Sequence, residues 1–143
     1  MKAQPKQLEL TAFIIDDTLY YVAPIENYTG YWASTCGHIL STQNNEPIVL
    51  AAVDNGRGYV RVSISKDGKD NKLKLLYIHR LIALTFLDFD AIDYEGHPRL
   101  EVNHINGIKT DNQASNLELC SRKENMEHCN SVLKEMKSML GET

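Results

Sequence analysis

The chain is poor in the features that mark secreted or membrane proteins. Its three cysteines, Cys36, Cys120 and Cys129, are odd in number and form no C-x-x-C pair, which argues against a disulfide framework and for reduced thiols in a cytoplasmic compartment. No apolar run approaches the roughly 20 residues needed to cross a bilayer, so no membrane partner is expected. The opening Met1-Lys-Ala-Gln-Pro-Lys leads into polar sequence rather than the apolar core of a secretory signal. Positive charge is scarce as well: 15 basic against 19 acidic residues leave a net charge of -4, a poor overall match for a phosphate-rich partner. Repeats and low-complexity segments are absent. What remains is ordinary for a globular fold. With 143 residues, 43% hydrophobic and 24% charged, the chain suits one domain, or a catalytic module with a small appendage.

The charge is unevenly spread. Between Arg57 and Arg80 there are seven basic residues against two acids, while Asp88, Asp90, Asp93 and Glu95 follow with no basic partner up to Gly96. Both runs have the plain reading of solvated faces. The basic run lies on strand-like sequence, and we read it as a DNA-facing strip.

Hydrophobic patterning divides the chain into a β-rich N-terminal part, residues 1–76, and a C-terminal unit, residues 77–143. Residues 1–18 hold enough apolar character for a short strand or a packing arm. From Tyr20 to Ser41, aromatics and turn residues suit short antiparallel strands. Tyr59 to Ile64 alternates apolar with polar, 66–71 is turn chemistry, and Lys72 to Ile78 returns as the second arm of a hairpin. His79 to Leu87 fits a short buried helix, and 88–98 reads as a loop. The last third reads strand (99–104), polar loop (105–116), strand (117–120) and helix (121–140). Ser121 and Glu124 have capping-box spacing. Met126, Cys129, Leu133, Met136 and Leu140 form an apolar stripe whose default role is core packing. The fold class expected is therefore α+β.

The run from Asn103-His104 through Asn116 to Glu124-Asn125 concentrates the chemistry. Hydrolysis of a phosphodiester needs an activated water, compensation of developing negative charge, and in-line geometry. His104, with a reference pKa of about 6.5, offers a neutral imidazole as general base at neutral pH. If the last helix packs back across the two strands, the amide oxygens of Asn103 and Asn125 can converge on one hard cation, Mg²⁺ or Mn²⁺.

These residues resemble the HNH, or His-Me finger (ββα-metal), nucleases, in particular the small homing endonucleases of bacteriophages and mobile introns. The resemblance rests on Asn103-His104-Ile105-Asn106-Gly107, Asn116-Leu117-Glu118 and Glu124-Asn125-Met126. It extends to Tyr77-Ile-His79-Arg80-Leu81-Ile-Ala83 and to the sheet-forming segment Tyr28 to Ser41. It implies an N-terminal antiparallel DNA-contacting module followed by a ββα-metal unit that hydrolyses double-stranded DNA to 5′-phosphate and 3′-hydroxyl ends. His104 would activate water, Asn103 and Asn125 would hold one divalent metal, and Asn116 would brace the loop that orients the histidine. Arg57, Arg61, Lys72, Lys74, Arg80 and Lys109 are the candidate phosphate contacts. One catalytic unit cuts one strand, so double-strand breaks call for a homodimer or two successive events. No protein partner is inferred.

Some relatives carry Asp where this chain has Asn103, so both protein ligands are neutral and the metal is expected to bind well only alongside DNA phosphate. His38 stands where the upstream segment usually carries Arg. No helix-turn-helix is expected after the nuclease helix. His128, one turn beyond Asn125, is a candidate additional ligand or phosphate contact with solvated surface as its plain alternative. His79 reads as a structural hydrogen-bonder, His97 as loop, and the Cys/His pairs as no zinc site. The rival class is a DNA-binding regulator whose nuclease motif has lost activity. A nuclease toxin or defence effector is a third reading.

Overall fold

A computed structural model describes residues 8–68, 72–87 and 100–139, with the side chains of 100, 121–125, 129, 132 and 137 outside that description. Ten strands and two helices are described: β1 (Thr11–Ile15), β2 (Thr18–Pro24), β3 (Tyr31–Ser34), β4 (Ile39–Ser41), β5 (Ile48–Val49), β6 (Val53–Asp54), β7 (Val60–Ile64), β8 (Lys74–Tyr77), α1 (Ile78–Phe86), β9 (Leu100–His104), β10 (Leu117–Ser121) and α2 (Arg122–Met139). Every described strand pair is antiparallel. Strands β1 to β5 form one meander, β6 to β8 a second, and β9 with β10 a two-stranded ribbon. The architecture is α+β. The acidic run and the expected loop at 88–98, including His97, lie outside the described residues.

Local chemistry explains the turns. Asp16 and Asp17, the two residues between β1 and β2, both take positive φ (49° and 63°), which matches the right-handed twist of a tight hairpin. The ambiguous N-terminal stretch is therefore a paired strand. Phe13 meets Trp32 edge-to-face at 5.1 Å across that sheet. The β7–β8 arms pair as their alternation suggests, with Val62 opposite Leu76.

One hydrophobic cluster ties the parts together. Ala33 and Ile39 of the first sheet, Val62 and Ile64 of the second, and Leu117 and Leu119 of the ribbon all pack with α1 residues such as Leu81 and Ile82. Helix α1 is apolar on most sides because it is covered on most sides. The cluster draws on residues from both sides of position 76.

Helix α2 differs from its expected role. Met126, Leu133 and Met136 are 59%, 50% and 52% exposed, so these three members of the stripe are not core, while the side chains of Cys129 and Leu140 lie outside the described residues. Helix α2 packs on β9 and β10, a two-stranded ribbon, and these three side chains are not on the covered side. No described helix is long and apolar enough to cross a membrane.

Candidate active site

The ribbon β9–β10 presents the motif. Its register sets Asn103 opposite Glu118 and His104 opposite Leu117. Directly opposed residues share a face and successive ones alternate, so Asn103 and His104 leave the strand on opposite sides. A ligand touching both must wrap the end of the ribbon, where the loop 105–116 begins. The amide nitrogen of Asn103 donates to Glu118 Oε1 at 3.0 Å, which leaves its Oδ1 as the group available to a cation.

His104 is 95% buried, and its Nε2 lies 2.7 Å from Oδ1 of Asn112, itself 3% exposed. An amide oxygen can only accept, so Nε2 carries the proton and Nδ1 keeps a lone pair. Burial pushes the His104 pKa below its ordinary value, Asn112 and Asp111 oppose that shift, and Lys109 reinforces it. The imidazole is therefore held neutral, the form a general base needs.

The loop is self-braced. Asn116 Nδ2 donates to Asn106 Oδ1 at 2.9 Å and to the Asp111 carbonyl at 2.8 Å, while its Oδ1 accepts from the Asn106 N–H at 3.1 Å. Asn106 in turn accepts from the Ile108 N–H and donates to Asp111 Oδ2 at 2.8 Å. Asn116 thus acts on the loop backbone, and Asn112 touches the imidazole. The sequence reading missed Asn112; its signal was the Asp111-Asn112 pair in a loop already rich in Asx chemistry.

Two outside elements hold the loop. The β3–β4 turn supplies the Thr35 carbonyl to the Ala114 N–H at 2.9 Å. In that turn a Cβ on Gly37 (φ +94°) would stand 2.5 Å from the carbonyl carbon of Asn112, so the close approach requires glycine. From the other side, Lys109 Nζ donates to the Arg57 carbonyl at 3.0 Å and sits 4.8 Å from the Tyr59 ring centre.

Aromatic rings line the wall beside His104. Tyr59 and His79 have ring centres 6.1 Å and 5.2 Å from it. Burial first, then the His104 and Arg80 charges, push the His79 pKa down to about 3. Its buried Nδ1 has no partner among the described residues, so His79 packs through its ring instead of acting as a hydrogen-bonder at that atom.

The other candidates are dispersed. The side chain of Asn125 lies outside the described residues; its backbone is in the first turn of α2, which packs on both ribbon strands. His128 Nε2 donates to the Ile105 carbonyl at 2.7 Å and fastens α2 to the start of the loop. Arg61 opposes Tyr77 while Lys74 opposes Ile64, so by strand parity these two basic residues stand on opposite faces of the β7–β8 pair. Arg61 Nε is buried without a partner among the described residues. Arg80 lies 5.5 Å from the Tyr77 ring centre, and Arg57 follows an Asx turn at Asn55. His38 is exposed against Tyr20. Among the described residues no group of three or more His, Cys, Asp or Glu side chains could hold a metal ion.

A strand ending in Asn-His, an Asx-braced loop, a second strand and a helix packed on the ribbon define a ββα nuclease unit. The HNH endonuclease family model matches residues 92–127. Two uncharacterized HNH endonucleases of Acanthamoeba polyphaga mimivirus are 34% and 35% identical over 105 residues, 73% of this chain but only 24% and 28% of theirs. The structure of the HNH homing endonuclease I-HmuI, solved for its DNA binding and cleavage, superposes with a TM-score of 0.59 at 30% identity, covering 77% of this chain and 57% of that one. The chain therefore spans about a quarter of the viral relatives and just over half of the structural neighbour. Residues 92–127 thus carry an HNH endonuclease motif, and the fold is similar to that of an HNH homing endonuclease.

Proposed function

We propose that the chain is a metal-dependent DNA endonuclease that hydrolyses phosphodiester bonds to 5′-phosphate and 3′-hydroxyl ends. The observation that carries this reading is the 2.7 Å contact between His104 Nε2 and Asn112 Oδ1, which leaves a neutral ring whose Nδ1 keeps its lone pair at the head of a braced loop. Nδ1 takes the proton of a water as its oxygen attacks phosphorus, and the 3′ oxygen leaves. Two features support a cation here: the Asn103 amide is turned by Glu118 so that its oxygen is available, and a carboxylate stands beside it. Asn103 and Asn125 would hold Mg²⁺ or Mn²⁺. When bound, that ion offsets charge on the phosphate and leaving oxygen.

Residues 1–76 contact duplex DNA in this reading, and residues 77–143 cut it. Arg57, Arg61, Lys72, Lys74 and Arg80 are the proposed phosphate contacts, spread over the second sheet and its loops and onto α1. One unit nicks one strand; a homodimer or a second event completes a break. The viral relatives and the homing-endonuclease neighbour favour a mobile-element setting, in a host cytoplasm. Supercoiled plasmid incubated with Mg²⁺ or Mn²⁺ tests the reading: the native chain is expected to nick, EDTA to stop it, and His104→Ala to lose it. Equal nicking by His104→Ala would overturn the base assignment, and DNA binding without nicking by the native chain would favour the regulator reading.

A further inference from the structure

Lys109 stands in the catalytic loop, where a cation is most simply taken as a hand for DNA phosphate. Its ammonium is engaged elsewhere. It donates to the Arg57 carbonyl and lies over Tyr59, 52 residues away at its hydrogen-bonded end. The receiving strap is braced by its own hydrogen bonds. Asp54 Oδ1 accepts from the Gly58 N–H, Asn55 Oδ1 from the N–H groups of Arg57 and Tyr59, and the Asn55 N–H donates to the Tyr59 carbonyl. Gly58 (φ +93°) leaves the room for the lysine stem, since a Cβ there would stand 3.2 Å from Lys109 Cδ. Tyr59 then carries the contact inward, its ring centre 6.1 Å from that of His104 and 5.3 Å from that of His79.

We propose that Lys109 is a positioning residue: it latches the loop 105–116 to the strap 54–59 of the second sheet, and so sets the His104 ring instead of holding a DNA phosphate. The inference rests on the reading that His104 carries the chemistry. It makes the second sheet a mechanical part of the active site. A misplacement of about 1 Å at a reacting group can cost on the order of a hundredfold in rate.

The test is Lys109→Met against Lys109→Arg. Plasmid nicking gives kcat and KM; binding of a short fluorescent duplex in EDTA, over a salt series, gives affinity and its salt slope. Lys109→Met is expected to lower kcat about ten- to a hundredfold. Its duplex affinity should stay within about twofold and its salt slope unchanged, because no phosphate contact is lost. Lys109→Arg, which can still donate and lie over the ring, should recover kcat to within about threefold. A slope shallower by about one, or kcat within about threefold of native for the methionine variant, overturns the proposal. Amide exchange across 105–116 should quicken in Lys109→Met, and unchanged protection there also counts against it. If Lys109→Met does not fold, Tyr59→Phe against Tyr59→Leu asks the same question: the phenyl ring keeps kcat near native if the latch holds, and equal kcat in both overturns it. His104→Ala, run in parallel, reports on the base assignment independently.

Discussion

Asn112 offers the sharpest perturbation. It is 3% exposed, and its Oδ1 lies 2.7 Å from Nε2 of the His104 ring. Asn112→Leu keeps the branched shape and the number of side-chain heavy atoms while removing the acceptor, so a buried Nε2–H loses its partner. An unsatisfied buried donor costs about 1–3 kcal/mol. Some of that cost falls on stability, and some on the fraction of time the ring faces the water with Nδ1. If about 1.4 to 2.8 kcal/mol appears in the barrier, nicking slows roughly ten- to a hundredfold. Asn112→Asp keeps an acceptor in place and is expected to retain the larger part of the rate, so the pair separates hydrogen bonding from packing. The assay is the initial rate of plasmid nicking with Mg²⁺, alongside duplex binding in EDTA and a thermal melt. Folded Asn112→Leu that nicks at the native rate would show that orientation of His104 does not depend on this bond.

Gly37→Ala places a methyl against the Asn112 backbone at a left-handed φ, and is expected to lower stability by about 1–3 kcal/mol and to reduce nicking with it; an unchanged melting temperature would refute the contact. His79, with a folded pKa of about 3 against an ordinary 6.5, refuses a proton that the unfolded chain accepts. Stability should therefore fall as pH drops from 6.5 towards 3, by at most about 1.4 kcal/mol per pH unit, and His79→Phe should flatten the slope in urea titrations at pH 7 and 5. Asn103→Asp adds a charged ligand and is expected to raise Mg²⁺ affinity without DNA, where calorimetry of the native chain should show only weak binding; tight binding by the native protein would contradict the neutral-ligand argument.

The interaction of the two sheets with the nuclease unit also has a stability side. Asp67 joins the β2–β3 connection to the end of β7, accepting from the Thr29 N–H at 2.9 Å and its hydroxyl at 2.7 Å, and these bonds hold its carboxyl below the usual range. Such links couple the first sheet to the second, which in turn meets the loop 105–116 through Lys109.

Much of the unit was legible because its determinants are local. Alternation at 60–64, turn chemistry after it, the dense apolar run of α1, and the Asn-His strand followed by Asx residues each act within a few positions, and the motif spacing pointed to the HNH endonucleases whose model matches 92–127. What tertiary structure decided lies beyond that reach. Strand parity put Arg61 and Lys74 on different faces, the packing of α2 on a two-stranded ribbon left Met126, Leu133 and Met136 in solvent, and the choice of Asn112 over Asn116 as the partner of His104 depended on how the loop closes. The ammonium of Lys109 meets a carbonyl 52 residues away. Local sequence sets which conformations each segment can adopt; which side chains meet is set by how those segments pack, and that depends on the whole chain at once.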